Sequence, residues 1–144
     1  MKRSGRASLV VVIMAALVAA VAGLFLLAGE SPTAVTGKFL TALAKGDAKT
    51  LASLSFMDGL PEAEIEKKWQ ETHDASKFWT FAYQIQDSNE QDANTATVRL
   101  QWIKNAMSGS AYEEKYELPL LKVGGKWKVD VRGISREMYP SLPR

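Results

Sequence analysis

Two ionisable side chains of this sequence stand where they could carry out acid–base chemistry. His73 is the only histidine of the 144-residue chain, and it follows Ile65 and Trp69 at a helical spacing of four residues. An imidazole titrates near neutral pH, so His73 is a candidate general base if a carboxylate lies nearby. The alternative is a partly buried histidine at a helix end, because no partner residue can be identified for it.

Glu114 is the second candidate, because it interrupts the alternation of its segment. It falls between Tyr112 and Tyr116 on the apolar face of a predicted strand. An inward carboxylate is a candidate general base. The alternative is a carboxylate at a wet strand end, paired with a lysine or an arginine.

Aromatic side chains recur along the same elements and are candidates to line a ligand pocket. They are Trp69, Trp79, Tyr83, Trp102, Tyr112 and Tyr116. Aromatic residues at strand spacing are more often plain core residues, which favours packing over ligand binding. The sequence has no metal-ligand spacing, no glycine-rich phosphate loop and no cysteine. It therefore predicts neither a metal nor a cofactor.

The elements that would position these residues follow a hydrophobic N-terminal segment. Residues 9–28 read LVVVIMAALVAAVAGLFLLA, twenty residues without a charged or strongly polar side chain. A helix of that length spans the hydrocarbon core of a bilayer. Three basic residues precede it, Lys2, Arg3 and Arg6. They place the N-terminus in the cytoplasm and the following domain outside.

Residues 1–30 are therefore predicted to be the signal anchor of a single-pass cell-membrane protein. The alternative is a cleaved signal peptide, because Ala20-Val21-Ala22 offers a small-residue cleavage site after an apolar run. Cleavage would leave a secreted or periplasmic domain.

The charge of the rest of the chain argues against nucleic acid as a partner. Three of the 18 basic residues precede the span, so 15 basic residues stand against 16 acidic ones in the remainder. Lysine and glutamate are interspersed there, as on an ordinary solvated surface. Nucleic-acid binding usually shows a strongly basic face, so no nucleic-acid partner is predicted.

The hydrophobic period changes from about 3.6 to 2 near Ser76, which predicts helices followed by strands. Three helices are expected over 32–45, 47–54 and 61–74. Four strands are expected over 78–87, 94–104, 111–122 and 126–132, with Trp79, Trp102 and Trp127 on the inner face. Helices grouped before an antiparallel meander indicate an α+β domain, with the helices packed on a curved four-stranded sheet. The domain is predicted to cover 31–133, and 134–144 is predicted to be an irregular tail.

This order of elements resembles the nuclear transport factor 2-like superfamily, which has the cystatin-like cone fold. Residues 34–54, AVTGKFLTALAKGDAKTLASL, are similar to its first helix, Gly-Asp break and second helix. Residues 116–131, YELPLLKVGGKWKVDV, are similar to its closing hairpin. The chain looks most like small bacterial envelope members of unknown function. The resemblance implies the cone fold, and it leaves the function open because one fold hosts many functions.

The resemblance also relates the two acid–base hypotheses to known enzymes of the superfamily. Dehydratases of the superfamily use His and Asp in the cone, and its steroid isomerases use an acid as base with a Tyr as oxyanion donor. Their catalytic residues cannot be aligned onto His73 or Glu114.

Three functions are therefore considered. The first is an extracytoplasmic, membrane-anchored binding or assembly module without catalytic activity, which binds a partner protein or itself through the sheet. The second is a carrier or sensor of a small apolar ligand in the cone. The third is a lyase or isomerase of the steroid-isomerase or dehydratase type.

Overall fold

Three helices open the part of the chain that the structure describes. The structure is a computed structural model, and it describes residues 29–104 and 112–144. The helices are α1 at Pro32–Lys45, α2 at Ala48–Ser53 and α3 at Glu62–Ser76. The three helix predictions are thus confirmed to within two residues at each end. The predicted span at residues 9–28 lies outside the described residues, and no helix among the described ones is long and apolar enough to cross a bilayer.

Local capping chemistry sets the boundary between α1 and α2. Gly46 ends α1 in the left-handed region, at φ 70°, and its N–H bonds back to the last carbonyls of the helix. Asp47 then caps α2, because its carboxylate accepts from the Thr50 N–H at 3.2 Å. Hydrogen bonds from the Thr50 hydroxyl and N–H hold the pKa of Asp47 below its usual range.

Five strands form one sheet in the order β1-β5-β4-β3-β2. The strands are β1 at Ser55–Phe56, β2 at Phe81–Glu90, β3 at Thr95–Lys104, β4 at Tyr112–Val123 and β5 at Lys126–Asp130. The last four pair in antiparallel fashion as predicted, but β1 pairs parallel to β5. The prediction of a purely antiparallel four-stranded sheet was therefore wrong. A two-residue strand is too short to produce an alternating pattern in the sequence.

The core lies between the helices and one face of the sheet, so the α+β architecture with helices packed on the sheet is confirmed. Phe39 and Leu40 from α1 and Trp69 from α3 are completely or almost completely buried there. The central strands contribute an alternating row of buried side chains: Ala96, Val98, Leu100 and Trp102 from β3, and Leu118 and Leu120 from β4. Trp127 is buried on β5, whereas Trp79 precedes β2 and is only half-buried.

Residues 134–144 contain neither helix nor strand, but they are packed into the domain. The side chains of Ile134, Met138 and Tyr139 are buried in the core. The Arg144 guanidinium donates to the carbonyl oxygens of Arg132 and Ile134, at 2.9 and 3.0 Å. Burial of this guanidinium and the nearby charge of Arg136 lower its pKa from the ordinary value.

Candidate functional site

His73 lies beside the break between α1 and α2, at the edge of the inward face of its own helix. The buried positions of α3 are Ile65, Trp69, Thr72 and Ser76. With 3.6 residues per turn, these four project within about 60° of each other, and residue 73 projects about 40° beyond them. His73 is half-buried, and its ring covers Gly46 so closely that a Cβ at that position would overlap it.

The inward polar positions of α3 are therefore hydroxyl groups. Thr72 Oγ1 donates to the Ser141 carbonyl at 2.6 Å. Ser76 Oγ is 3.0 Å from the Tyr139 hydroxyl and also bonds to the Thr72 carbonyl. These bonds attach the C-terminal tail to the helix. Thr72 and Ser76 were not predicted as inward residues because neither is apolar, although both fit the helical spacing that Ile65 and Trp69 begin.

Glu114 belongs to a small polar cluster at one end of β3 and β4. Its carboxylate accepts a hydrogen bond from the Tyr116 hydroxyl and forms an ion pair with Lys104 Nζ at 3.1 Å. The same ammonium lies over the rings of Tyr112 and Tyr116, with 5.9 and 5.5 Å to the centroids. The Lys104 side chain is only 13% exposed and that of Glu114 is 32% exposed. The carboxylate is thus held by a cation and a phenol.

Aromatic rings fill the neighbouring part of the inward face. Trp102 is completely buried and stacks on Phe81, with 4.4 Å between the ring centroids. Trp79 lies 6.4 Å from Trp102 and meets the Tyr139 ring edge-on at 4.8 Å. In the described part of the chain the indole Nε1 of Trp102 has no hydrogen-bond partner. The aromatic cluster is thus a packed layer that contains one unsatisfied donor.

The other pocket candidates are distributed over separate regions. Trp69 is buried in the core, where it packs edge-on against Phe39 and donates from Nε1 to Ser55 Oγ at 2.9 Å. Tyr83 is half-buried on β2, whereas Tyr112 is 50% exposed. The structure brings Tyr112, Glu114 and Tyr116 together but records no bond between them and His73. No cluster of three or more metal-ligating side chains occurs among residues 29–104 and 112–144.

The opposite, outward face of the sheet carries a network of polar side chains. Arg99 on β3 makes a two-pronged ion pair with Asp87 on β2, and this pair lowers the pKa of the Asp87 carboxyl. Gln86 bonds to Gln101 at 3.0 Å, and Gln101 bonds to Glu113 at 2.7 Å. A cavity of about 330 Å³ on this face includes Asp87 and Arg99 in its lining. It is a polar surface on which the charges of Asp87 and Arg99 pair with each other.

The two edges of the sheet differ in length and in covering. The β1 edge has two residues, and the Ser55 side chain there is buried. The β2 edge has ten residues, and no strand in the described residues pairs with its outer side. Its inward side chains Phe81, Tyr83 and Ile85 are only half-buried. This edge was not predicted, because an alternating pattern does not determine the order of the strands in a sheet.

Comparison with known proteins gives similarity in structure only. No family model matches the chain, and no curated protein is similar to it in sequence. A domain of unknown function with a cystatin-like fold from Nostoc punctiforme is similar over 67% of this chain and 69% of its own, with 12% identity and a TM-score of 0.51.

Two further solved structures are similar. A candidate calcium/calmodulin-dependent protein kinase type II association domain from Thiobacillus denitrificans matches 69% of this chain and 89% of its own, with 10% identity and a TM-score of 0.52. An NTF2-like protein of unknown function from Shewanella oneidensis matches 69% of this chain and 94% of its own, with 13% identity and a TM-score of 0.47. At these identities the similarity shows the fold alone. The described domain has the cystatin-like fold, as the sequence resemblance implied.

Proposed function

We propose that this domain is an assembly module without catalytic activity, held on the outer side of the cell membrane by the segment at residues 9–28. The observation that carries the proposal is the packed aromatic layer on the inward face. Trp102 is completely buried and stacks on Phe81, so the rings fill this part of the inward face. A packed layer leaves the outer surfaces and edges of the domain as the regions available for binding.

The placement of the titratable groups supports the same proposal. Acid–base catalysis needs a base and a charge-stabilising donor that reach one reacting atom. His73 covers Gly46 beside the helix break, whereas the Glu114 carboxylate is engaged by Lys104 and Tyr116. Among the described residues no bond joins the two groups and each contacts other side chains or backbone, which supports the proposal over the isomerase and dehydratase hypotheses.

A carrier or sensor of a small apolar ligand is the second candidate function, and one observation favours it. The Trp102 Nε1 donor is buried without a partner among the described residues. A buried donor of this kind would gain from an acceptor, such as a ketone oxygen on an apolar ligand. Binding would require the aromatic layer to open, because its rings are in contact.

Amine-reactive cross-linking of the full chain in intact membranes tests the proposal. We expect a defined homo-oligomer that forms equally well in the His73→Ala, Glu114→Gln double variant.

The ligand-carrier alternative is tested on the same preparation, which is titrated with progesterone while tryptophan fluorescence is followed. We expect no saturable quenching. Saturable quenching with a monomeric chain would favour the ligand carrier. Isomerisation of a β,γ-unsaturated 3-ketosteroid that is lost in Glu114→Gln would establish the enzyme.

A further inference from the structure

No strand of the described residues pairs with the outer side of β2, and the first half of this strand lacks the residues that usually protect an edge. Natural proteins block exposed edges with lysine, proline or very short strands. Residues 78–86, FWTFAYQIQ, contain no charged residue and no proline. The only interruption is a change of register between Ile85 and Asp87 in the pairing with β3. The segment before this bulge therefore has the chemistry of a strand that accepts another strand.

The inward side chains along this edge are also only partly covered, so a partner strand could bury them further. The inward side chains of β3 are at most 2% exposed from Ala96 to Trp102. On β2 the equivalent side chains of Phe81, Tyr83 and Ile85 pack on the core but remain half-exposed. One more strand beside β2 would cover these side chains in the way that β2 covers those of β3.

The charge pattern of this edge allows it to pair with the same edge of a second copy of this chain. We propose that residues 81–85 of β2 pair antiparallel with the same residues of a second copy, around a twofold axis at Tyr83. This inference rests on the proposed assembly function and names its surface. In that register Tyr83 faces Tyr83 of the second copy and Phe81 faces Ile85. Every facing pair within 81–85 is uncharged, so no like-charge repulsion opposes the pairing.

The two copies share one continuous sheet in this arrangement. The inward rings of Phe81 and Tyr83 from both copies form an aromatic cross-strand row, which is a favourable pairing in antiparallel sheets. The charged residues next to the segment, Lys77 and Asp87, lie outside it. The pairing is therefore confined to the uncharged stretch before the bulge.

Cysteine cross-linking tests the proposal, because the chain has no cysteine of its own. The Tyr83→Cys variant of the full chain is oxidised mildly in intact membranes. Facing residues in an antiparallel pair have Cα atoms about 4.5–5.5 Å apart, within the range of a disulfide. We expect a disulfide-linked dimer that disappears on reduction. Phe56→Cys is the matched control, since it replaces a half-buried aromatic residue on the other edge, and we expect it to stay monomeric.

A second pair of variants guards against a folding defect at position 83. Ala82→Cys and Gln84→Cys chains, produced together, should form a mixed disulfide because residue 82 faces residue 84 of the second copy. If neither Tyr83→Cys nor this pair links more than Phe56→Cys, the edge proposal is wrong. A chain that is still oligomeric by amine cross-linking would then keep the assembly function, whereas a monomeric chain would overturn both.

Discussion

The two edges of this sheet show how the same domain closes one boundary and leaves the other open. At the β1 edge a chain of hydrogen bonds runs from Trp69 Nε1 to Ser55 Oγ and on to the Leu51 carbonyl, at 2.9 and 2.5 Å. The Val129 N–H bonds to the Leu54 carbonyl at 2.7 Å, immediately before β1. The β2 edge has ten residues with no pairing strand among the residues that the structure describes, and its apolar side chains are half-exposed. The buried polar network stabilises the domain, and we propose that the β2 edge serves assembly.

The largest expected effect is at the closed edge. Trp69→Ala removes a ring that is 1% exposed and leaves Ser55 without its donor. We expect a loss of about 3–5 kcal/mol in the free energy of unfolding, the usual range for deleting a buried aromatic side chain. Urea unfolding of the full chain in detergent measures it. A loss below about 1 kcal/mol would mean that the closed edge does not hold the domain together.

Ser55→Ala tests the hydrogen bonds of that edge separately from its packing. The change leaves the Trp69 indole N–H without its acceptor and the Leu51 carbonyl without the Ser55 hydroxyl. We expect a loss of about 2 kcal/mol, because an unsatisfied buried polar group loses its solvation without compensation. Ser53→Ala is the control, since that exposed hydroxyl bonds only within its own helix, to the Thr50 carbonyl. Equal losses in the free energy of unfolding for the two variants would show that the Ser55 hydroxyl stabilises the domain no more than the exposed Ser53 hydroxyl does.

Tyr83→Ala should affect stability less than either change at the closed edge. The ring is half-exposed in one copy, so its removal should cost about 1 kcal/mol in unfolding of the dissociated chain. The Tyr83→Ala substitution should weaken assembly more than it weakens folding, because the ring lies at the proposed twofold axis. Urea unfolding at low and at high protein concentration separates the two effects. A loss equal to that of Trp69→Ala would show that the β2 edge is part of the closed core.

The smallest expected effect concerns the outward face of β2. Arg99 lowers the pKa of Asp87, so the pair supports the folded state above the ordinary aspartate pKa of 3.8 and loses its effect as the pH falls below that value. In Arg99→Gln the Asp87 pKa should return toward 3.8. Titration of the carboxyl carbon by NMR measures the change. An unchanged pKa would mean that the ion pair does not form in solution.

Periodic elements of the fold could be predicted from the sequence, whereas the sheet edges and the packing of the tail could not. The helices follow from Ser31, Gly46 and Asp47, whose side chains and conformations make local caps, and the long strands follow from alternation. The parallel strand β1 has two residues and no period. The packing of Met138 and Tyr139 depends on contacts with distant residues, which local patterns do not contain.

The candidate site was predicted in part, for the same physical reason. Strand alternation places Tyr112, Glu114 and Tyr116 on one face, and the structure brings them together. The partner of Glu114 is Lys104, which lies on the neighbouring strand β3. The ion pair between Lys104 and Glu114 depends on the register between β3 and β4. The alternating pattern of the sequence does not give that register.

The most direct test of the open edge is the dissociation constant of the full-chain dimer, measured by sedimentation equilibrium in detergent micelles. Two double variants share Ala82→Lys and differ at residue 84, where one carries Gln84→Lys and the other Gln84→Glu. Around the twofold axis at Tyr83, residue 82 faces residue 84 of the second copy. Two facing lysine pairs should weaken the dimer roughly tenfold or more, and two facing Lys–Glu pairs should restore wild-type affinity. Equal dissociation constants for the two variants would contradict pairing through this edge.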